Sequence, residues 1–186
     1  MIRMEKILQI LKKAAIPALY IAFAAALDQL VKNWAEANLP GSPVTVVEDV
    51  FYLTYATNDG AAWSILSGSR AVLLIITLAA FVLIAYLFKA GHMHTRLLRV
   101  SMYSVIGGAI GNFIDRMFRP SGLVVDLFDF RLIHFPIFNV ADIFITVGGT
   151  LFVLAYLVDF VKTERENKAK ARDAAGSPSE DTHDPD

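Results

Sequence analysis

The sequence predicts an all-α membrane protein with four transmembrane helices and a small extracytoplasmic β platform. Of its 186 residues 55% are hydrophobic and only 19% are charged, with a mean hydropathy of +0.50, which is too apolar for an ordinary soluble domain. The apolar residues form four long blocks without core periodicity, as spanning helices do. Between the first two blocks lies a stretch rich in Val, Thr, Tyr and Phe, which is typical of strands.

The composition also excludes several kinds of chemistry. There is no cysteine, which excludes disulfides, thiolate catalysis and Cys-ligated metals. The net charge of −1 says nothing about nucleic acid, but the basic residues sit in short flanks rather than in a patch with interleaved aromatics, so no nucleic-acid partner is expected. His92 and His94 lack further ligands nearby, so no metal site and no cofactor are predicted. Ser64 has no His or Lys placed to activate it.

The first span runs from Ala14 to Val31, and with the flank to Trp34 it is long enough to cross a bilayer. Its basic start imitates a signal peptide, but the apolar run continues and no soluble domain follows, so we expect a retained helix. Asp28 interrupts the run. It is either an interfacial acid beside Lys32 or a structural or site residue.

Strand and turn signals follow the first span. Leu39-Pro40-Gly41-Ser42-Pro43 breaks the helix, and a surface β segment is expected at about 42–58. Asn58-Asp59-Gly60 predicts a turn into a loop that re-enters the bilayer. Trp63 is a candidate interface anchor.

Three further spans are predicted at Ala71–Phe88, Arg96–Phe118 and Phe138–Val158. The connection at about 117–138 contains Leu123–Phe130, which is either a short strand or an interfacial segment. Residues 162–186 are charged and then rich in Ala, Gly, Ser, Pro and acids, so they predict a disordered cytoplasmic tail after a membrane domain of residues 1–161.

The third span ends in a polar stripe. On a helix Gly108, Asn112 and Asp115 share one face, and Arg116 lies on the side of Asn112. Polar clusters within a membrane usually mark a site. For the glycines alone, the spacing of Gly107-x-x-x-Gly111 also fits close helix packing.

Two more acids follow, each with an ordinary structural alternative. Asp126 lies between apolar neighbours and could be an exposed edge-strand acid. Asp142, on one helix face with Asn139, could be a first-turn acid that complements the helix dipole. At membrane depth Asp142 would face a second carboxylate. This favours a functional site over a role that only complements the helix dipole.

Positive charges flank the N-terminus, the turn between the second and third spans, and the end of the fourth span. The positive-inside rule therefore predicts that both termini are cytoplasmic. The connection that contains Asp126 is then outside. It also contains Arg116, Arg119 and Arg131, which are an exception to the positive-inside rule and are suited to binding lipid phosphates. The polar residues of interest then meet at the outer boundary of the membrane: Asp28, Asn58, Asn112, Asp115, Arg116, Asp126, Asn139 and Asp142.

Paired carboxylates beside amides and an arginine suggest an acid–base hydrolase. Two carboxyl groups in a low-dielectric site share one proton. The ionised one can take a proton from water and the protonated one can give a proton to a carbonyl oxygen or leaving nitrogen, while asparagines stabilise an oxyanion. This is aspartic peptidase chemistry.

Two alternatives belong to other classes. In a small proton-coupled transporter, Asp28, Asp126 and Asp142 would relay protons, but acids throughout the membrane depth and an inverted repeat are then expected. The sequence shows acids at one boundary and no repeat. In a non-catalytic scaffold, Asp126→Asn would be harmless.

Five motifs carry a resemblance to a known family, in this order along the chain: Asp28-Gln29, Asn58-x-Gly60-Ala61-Ala62-Trp63-Ser64, Gly107-Gly108-Ala109-Ile110-Gly111-Asn112-x-x-Asp115-Arg116, Val124-Val125-Asp126 and Phe138-Asn139-x-Ala141-Asp142. Together they resemble bacterial lipoprotein signal peptidase (signal peptidase II), from about Asp28 to Gly148. Each motif alone is weak, whereas five in order on four spans are highly specific.

The resemblance implies an intramembrane aspartic endopeptidase of the bacterial inner membrane, with its site on the extracytoplasmic side. We expect the protein to be a monomer. Such enzymes cleave diacylglyceryl-modified prolipoproteins just before the lipidated cysteine, and globomycin blocks them. By motif position Asp126 and Asp142 are the catalytic pair. The substrate-binding and supporting residues would be Asp28, Asn58, Gly60, Gly108, Asn112, Asp115, Arg116, Asn139 and Ala141.

Two positions qualify this picture. Asp59 replaces the Thr more usual after the asparagine and adds a charge near the cleft mouth. Asp115 is a rival for the second catalytic carboxylate, although the adjacent Arg116 favours a salt-bridged structural role for it.

Overall fold

The computed structural model of the chain describes residues 2–61 and 65–176. The expectations for Trp63, for Ser64 and for the end of the tail at 177–186 fall outside the described residues. The elements are, in chain order, α1 Ile2–Asn38, β1 Val44–Val47, β2 Phe51–Asn58, α2 Arg70–Lys89, α3 Arg96–Phe118, β3 Val124–Phe130 and α4 Val140–Gly176.

Each helix contains a stretch long and apolar enough to cross a membrane: Ala14–Asn38, Arg70–Lys89, Arg96–Phe118 and Val140–Arg172. The prediction of four spans is therefore confirmed. Helix α3 is central, packing most extensively against α4 and then α1, while α2 packs chiefly against α3. Most side chains of the other three spans point outward, as lipid-facing apolar residues should.

Glycines of α3 allow its close contacts with α1 and α4. A Cβ on Gly107 would lie 2.6 Å from the Cβ of Ala24 on α1, and a Cβ on Gly108 would collide with the carbonyl oxygen of Ala141 on α4. A Cβ on Gly111 would collide with the carboxylate of Asp28. The predicted packing role of the Gly107-x-x-x-Gly111 pattern is correct, and it brings polar side chains of three helices together.

The three strands form one antiparallel sheet in the order β1–β2–β3. The predicted surface strands are confirmed, and the Leu123–Phe130 segment is a strand that pairs with β2. In this register Ala56 lies opposite Asp126, and Asn58 opposite Val124. The sheet therefore places Asn58 and Asp126 on neighbouring strands.

The chain between β3 and α4 folds back onto β3. A short 3-10 helix at Arg131–Ile133 is followed by His134 with φ 49°, and the chain then reverses. Phe138 forms an antiparallel bridge with Phe128, and its carbonyl oxygen accepts the N–H groups of Leu127 and Phe128 at 3.0 and 2.9 Å. This bridge fixes the start of α4 beside Asp126.

The expectation of disorder from residue 162 is wrong for residues 162–176, because α4 continues to Gly176. This stretch is rich in Lys, Glu, Arg and Ala, which are strong helix formers, and contains no Pro or Gly before its end. Glu164 and Lys168 form an i,i+4 ion pair of 3.3 Å, which adds modestly to helix stability.

Candidate active site

One asparagine joins the two carboxylates that the sequence singled out. Asn139 Nδ2 donates to Asp126 Oδ1 at 2.6 Å, and its backbone N–H donates to Asp142 Oδ2 at 3.1 Å. Asn139 Oδ1 in turn accepts the backbone N–H of Asp142 at 2.9 Å. The carboxylates are therefore held on either side of a single residue.

The reciprocal bonds between Asn139 and Asp142 are a capping box. Asn139 stands just before α4 and caps it, instead of lying within the helix as the sequence suggested, and Asp142 closes the box from the first turn. Asp142 therefore complements the dipole of α4 from its first turn and also lies beside a second acid, so both interpretations of this residue apply. Asp142 remains partly exposed.

Asp126 lies on the edge strand β3, yet it is only 3% exposed. The exposed-acid alternative is therefore wrong. The side chain of Asn58 also hydrogen-bonds Asp126, and Asn58 is itself oriented by the N–H of Gly60, which donates to its Oδ1 at 2.8 Å. Two amides thus hold this carboxyl group in a buried position.

The surroundings of Asp126 raise its pKa to about 7. The main cause is burial, which disfavours the charged form, and the second is the negative charge of Asp142. The hydrogen bonds from Asn139 and Asn58 lower the pKa but do not compensate. Asp126 can therefore carry a proton near neutral pH.

Asn112 and Arg116 approach the pair from α3. Asn112 Nδ2 donates to Asp142 Oδ1 at 2.8 Å. Arg116 Nη2 donates to the carbonyl oxygen of Gly60 at 2.7 Å, and the acid with the strongest electrostatic effect on it is Asp142, followed by Asp126. The polar end of α3 thus contacts both the acids and the turn after β2.

A second, fully buried layer lies behind these residues. Asp28 and Asp115 are both 0% exposed, and Lys32 Nζ lies 2.8 Å from Asp28 Oδ2 and 2.7 Å from Asp115 Oδ2. The interfacial alternative for Asp28 is wrong, because Asp28 and Lys32 are buried between helices.

The predicted partner of Asp115 needs correction. Its ion pairs are with Lys32 and with Arg119, whose Nε lies 2.7 Å from Asp115 Oδ1, whereas Arg116 points toward Gly60. The one-residue difference matters because successive residues of a helix face different directions. Asp115 still has the ion-paired environment that was expected of it.

The structure also locates the small residues of the predicted site. Ala141 is 0% exposed, and its backbone N–H donates to Asp28 Oδ1 at 2.8 Å. Gly108 is buried against Ala141. These two residues form part of the contact between α3 and α4, while Gly60 contacts Arg116 through its carbonyl group.

Sequence reasoning did not select Lys32, Gln29 or Arg119 as site residues. Lys32 is 0% exposed, and Gln29 Nε2 donates to Asp115 Oδ1 at 2.9 Å. A signal for Lys32 existed, since a lysine four residues after an intramembrane aspartate lies on the same helix face. It was overlooked because a lysine at a span end ordinarily reaches water.

Asp59 accepts hydrogen bonds from residues of the connection between β2 and α2. Its Oδ2 accepts Ser67 Oγ at 2.5 Å and the N–H of Gly68 at 3.0 Å, and the bond from Ser67 is the main reason why its pKa is lowered. The unusual acid therefore joins residue 59 to residues 67 and 68, between β2 and α2. Among the described residues, no group of three or more His, Asp or Glu side chains could hold a metal ion.

Fold and site together define a multi-pass membrane protein with two adjoining carboxylates at one end of its helix bundle. Residues 20–158 match the family model of signal peptidase (SPase) II. The chain is 42% identical over 132 residues to a lipoprotein signal peptidase of Latilactobacillus sakei, covering 70% of this chain and 86% of that protein. A lipoprotein signal peptidase of Lactococcus lactis is 40% identical over 148 residues, covering 79% and 97%.

A solved structure described as a bacterial membrane enzyme, determined by the in meso method at 2.3 Å resolution, superposes with a TM-score of 0.72. It is 33% identical and covers 78% of this chain and 90% of the other. The chain belongs to the signal peptidase II family, the lipoprotein signal peptidases. It is thus a membrane-embedded peptidase.

Proposed function

We propose that the protein cleaves diacylglyceryl-modified prolipoproteins just before the lipidated cysteine, with Asp126 and Asp142 as an acid–base pair. The family supports the substrate class. The observation that carries the mechanism is that Asn139 hydrogen-bonds both carboxylates while only Asp126 is almost fully buried. Neighbouring acids in different environments are suited to opposite protonation states.

In the proposed reaction Asp142 is ionised and Asp126 is protonated. Asp142 takes a proton from a water molecule, whose oxygen attacks the scissile carbonyl carbon, while Asp126 gives its proton to the carbonyl oxygen. The resulting diol collapses: its C–N bond breaks, the leaving nitrogen gains a proton from Asp142, and a hydroxyl proton returns to Asp126. Each acid ends in its starting state, so no metal or cofactor is required.

The surrounding residues divide into two proposed groups. Asn58, Gly60, Asn112 and Arg116 line the cleft, where amide and guanidinium N–H groups can bind the peptide backbone and the developing oxyanion. Asp28, Gly108, Asp115, Asn139 and Ala141 hold the helices and the acids in place. The segment before Asn139 covers the scissile bond and excludes bulk water.

The proposed setting is the bacterial inner membrane, with both termini in the cytoplasm and the site at the extracytoplasmic boundary. The charge distribution of the connections supports this orientation. The catalytic unit is residues 1–161, acting as a monomer in contact with lipid. Globomycin-type inhibitors would occupy the cleft above Asp126 and Asp142. Proton-coupled transport is not favoured, because the buried acids form one network at one end of the helices.

The test is cleavage of a diacylglyceryl-modified prolipoprotein by purified wild type and by Asp126→Asn, Asp142→Asn and Asp115→Asn, with chelator present. Each variant is first checked by thermal unfolding in detergent. We expect the first two to lose turnover by several orders of magnitude and Asp115→Asn to keep measurable turnover. Full activity in either of the first two would disprove the pair, and an inactive folded wild type would disprove the substrate class.

A further inference from the structure

Lys32 is a buried cation whose three N–H groups all have partners on α1 and α3. Besides Asp28 and Asp115, its Nζ donates to Asn112 Oδ1 at 2.8 Å, which uses every donor that an ammonium group has. A buried lysine must be neutralised by acids, and two acids are present. Because Asn112 is uncharged, the third bond serves some purpose other than neutralisation.

That bond determines which way the Asn112 carboxamide points. Its oxygen accepts from both Lys32 Nζ and Asn139 Nδ2, at 2.8 and 3.1 Å. Its amide nitrogen therefore faces Asp142, donating to Oδ1 at 2.8 Å. Turning the amide over would set its N–H groups against two donors and its oxygen against a carboxylate, and both contacts are repulsive.

We propose that Lys32 is a positioning residue for peptide hydrolysis: it fixes the Asn112 amide so that Asp142 receives an N–H and stays ionised, leaving the shared proton on Asp126. This inference rests on the proposed function. It adds a residue on α1 to a mechanism whose acids lie on β3 and α4. Lys32 acts through Asn112 and does not touch the substrate.

Charge gives the same residue a second, measurable effect. Asp126 is faced by Asp142 of α4, by the amides of Asn58 and Asn139, by Arg116 of α3 and by the charge of Lys32 from α1. Removing one cation makes ionisation of the pair harder. The proton on Asp126 should then be retained to higher pH.

The experiment compares steady-state cleavage of a diacylglyceryl-modified prolipoprotein against pH. Lys32→Met alone would leave the buried carboxylate of Asp28 without its cation, so the test variant is Lys32→Met/Asp28→Asn; Asp115 keeps its ion pair with Arg119 in both. Its reference is Asp28→Asn, which retains Lys32. The matched control is Gln29→Leu, which removes bonds to Asp115, to the carbonyl oxygen of Gly111 and to Asp28, at 2.9, 3.0 and 3.3 Å, without touching Asn112.

Relative to Asp28→Asn, the double variant should lose about ten- to a hundredfold in kcat, the effect of a lost bond to a charged group, with a smaller change in KM. The alkaline limb of its pH profile should move up by about one unit. Gln29→Leu should lower the thermal midpoint and leave the limb in place. The positioning role of Lys32 is overturned if the double variant has the same kcat as Asp28→Asn and the alkaline limb of its pH profile lies at the same pH.

If the double variant does not unfold cooperatively, Lys32→Gln/Asp28→Asn replaces it. The glutamine keeps a donor for Asn112 but carries no charge, so kcat should stay close to that of Asp28→Asn while the alkaline limb still moves up relative to that reference. An unmoved limb in this variant also overturns the inference. Failure of the proposed function is separate, because it appears as absence of cleavage by wild type.

Discussion

Replacing Asp126 with asparagine should make the protein more stable at neutral pH while abolishing cleavage. The asparagine has the same shape, and its Oδ1 can still accept from Asn139, although its amide nitrogen cannot accept the bond that Asn58 makes to the carboxylate. Its amide nitrogen replaces the oxygen that carries the charge or the proton, so the repulsion from Asp142 disappears. The buried carboxylate is thus expected to reduce stability in order to serve function.

The magnitude follows from the pKa of Asp126, which rises from 3.8 to about 7 on folding. A folded-state pKa above the unfolded value means that the folded protein binds the proton more tightly. The stabilisation is complete below pH 3.8 and is lost as the pH rises through about 7. About three units at 1.36 kcal/mol each set an upper limit of roughly 4 kcal/mol, a loss that Asp126→Asn does not suffer.

The assay is unfolding in detergent at several values between pH 4.5 and 8, with wild type and variant measured in parallel. Other acids titrate in both proteins, so the difference in thermal midpoint isolates Asp126. We expect this difference to move in favour of Asp126→Asn by several degrees as the pH rises. A difference that does not change with pH would refute the reasoning.

Asp129→Asn is the matched control, because Asp129 lies on the same strand and is nearly buried. Its Oδ2 accepts Arg131 Nε at 2.8 Å, so this charge has a cation beside it. Removing it should lower stability at neutral pH, the opposite sign to Asp126→Asn. Equal behaviour of the two variants would indicate that burial alone, rather than unpaired charge, decides the outcome.

Three further predictions concern activity and the loops. Cleavage at saturating substrate should decline as the pH rises above about 7, where Asp126 gives up its proton; a flat profile to pH 9 would contradict its role as the acid. Gly108→Ala should reduce turnover sharply, because the new methyl group collides with the carbonyl oxygen of Ala141, whereas Gly149→Ala, which meets nothing within 4 Å, should not. Asp59→Ala should speed limited proteolysis between β2 and α2, because it removes the two hydrogen bonds that join residue 59 to residues 67 and 68; unchanged proteolysis rates would show that these bonds do not hold the connection.

The spans and strands were predictable because each rests on a local pattern. Continuous apolar blocks gave the four helices, and Pro40 with the β-branched stretch gave the platform. The continuation of α4 beyond residue 161 was missed because charge was weighed above helix propensity. What no local pattern could show is that β3 joins β2, since pairing between distant segments depends on the folded bundle.

The residues of the candidate site could be predicted from the sequence, but the hydrogen bonds and ion pairs between them could not. The convergence of acids and amides followed from topology, whereas the partners did not. Arg116 was paired with Asp115 by adjacency, but the helix turns Arg116 toward Gly60 and gives Asp115 to Lys32 and Arg119. Lys32 itself resembles a surface lysine until folding buries it against α3.

The bridge between Phe128 and Phe138 has a mechanical consequence. Asp126 and Asp142 belong to one continuous stretch of chain, which folds back on itself through the bridge between Phe128 and Phe138. Asn139, which hydrogen-bonds both acids, lies within that stretch. Bilayers of different thickness change the tilt of spanning helices. Because contacts within this stretch hold Asp126 beside the start of α4, tilting of α1, α2 or α3 should leave the two acids together, and we expect the proposed catalytic pair to keep its geometry across membranes of different lipid composition.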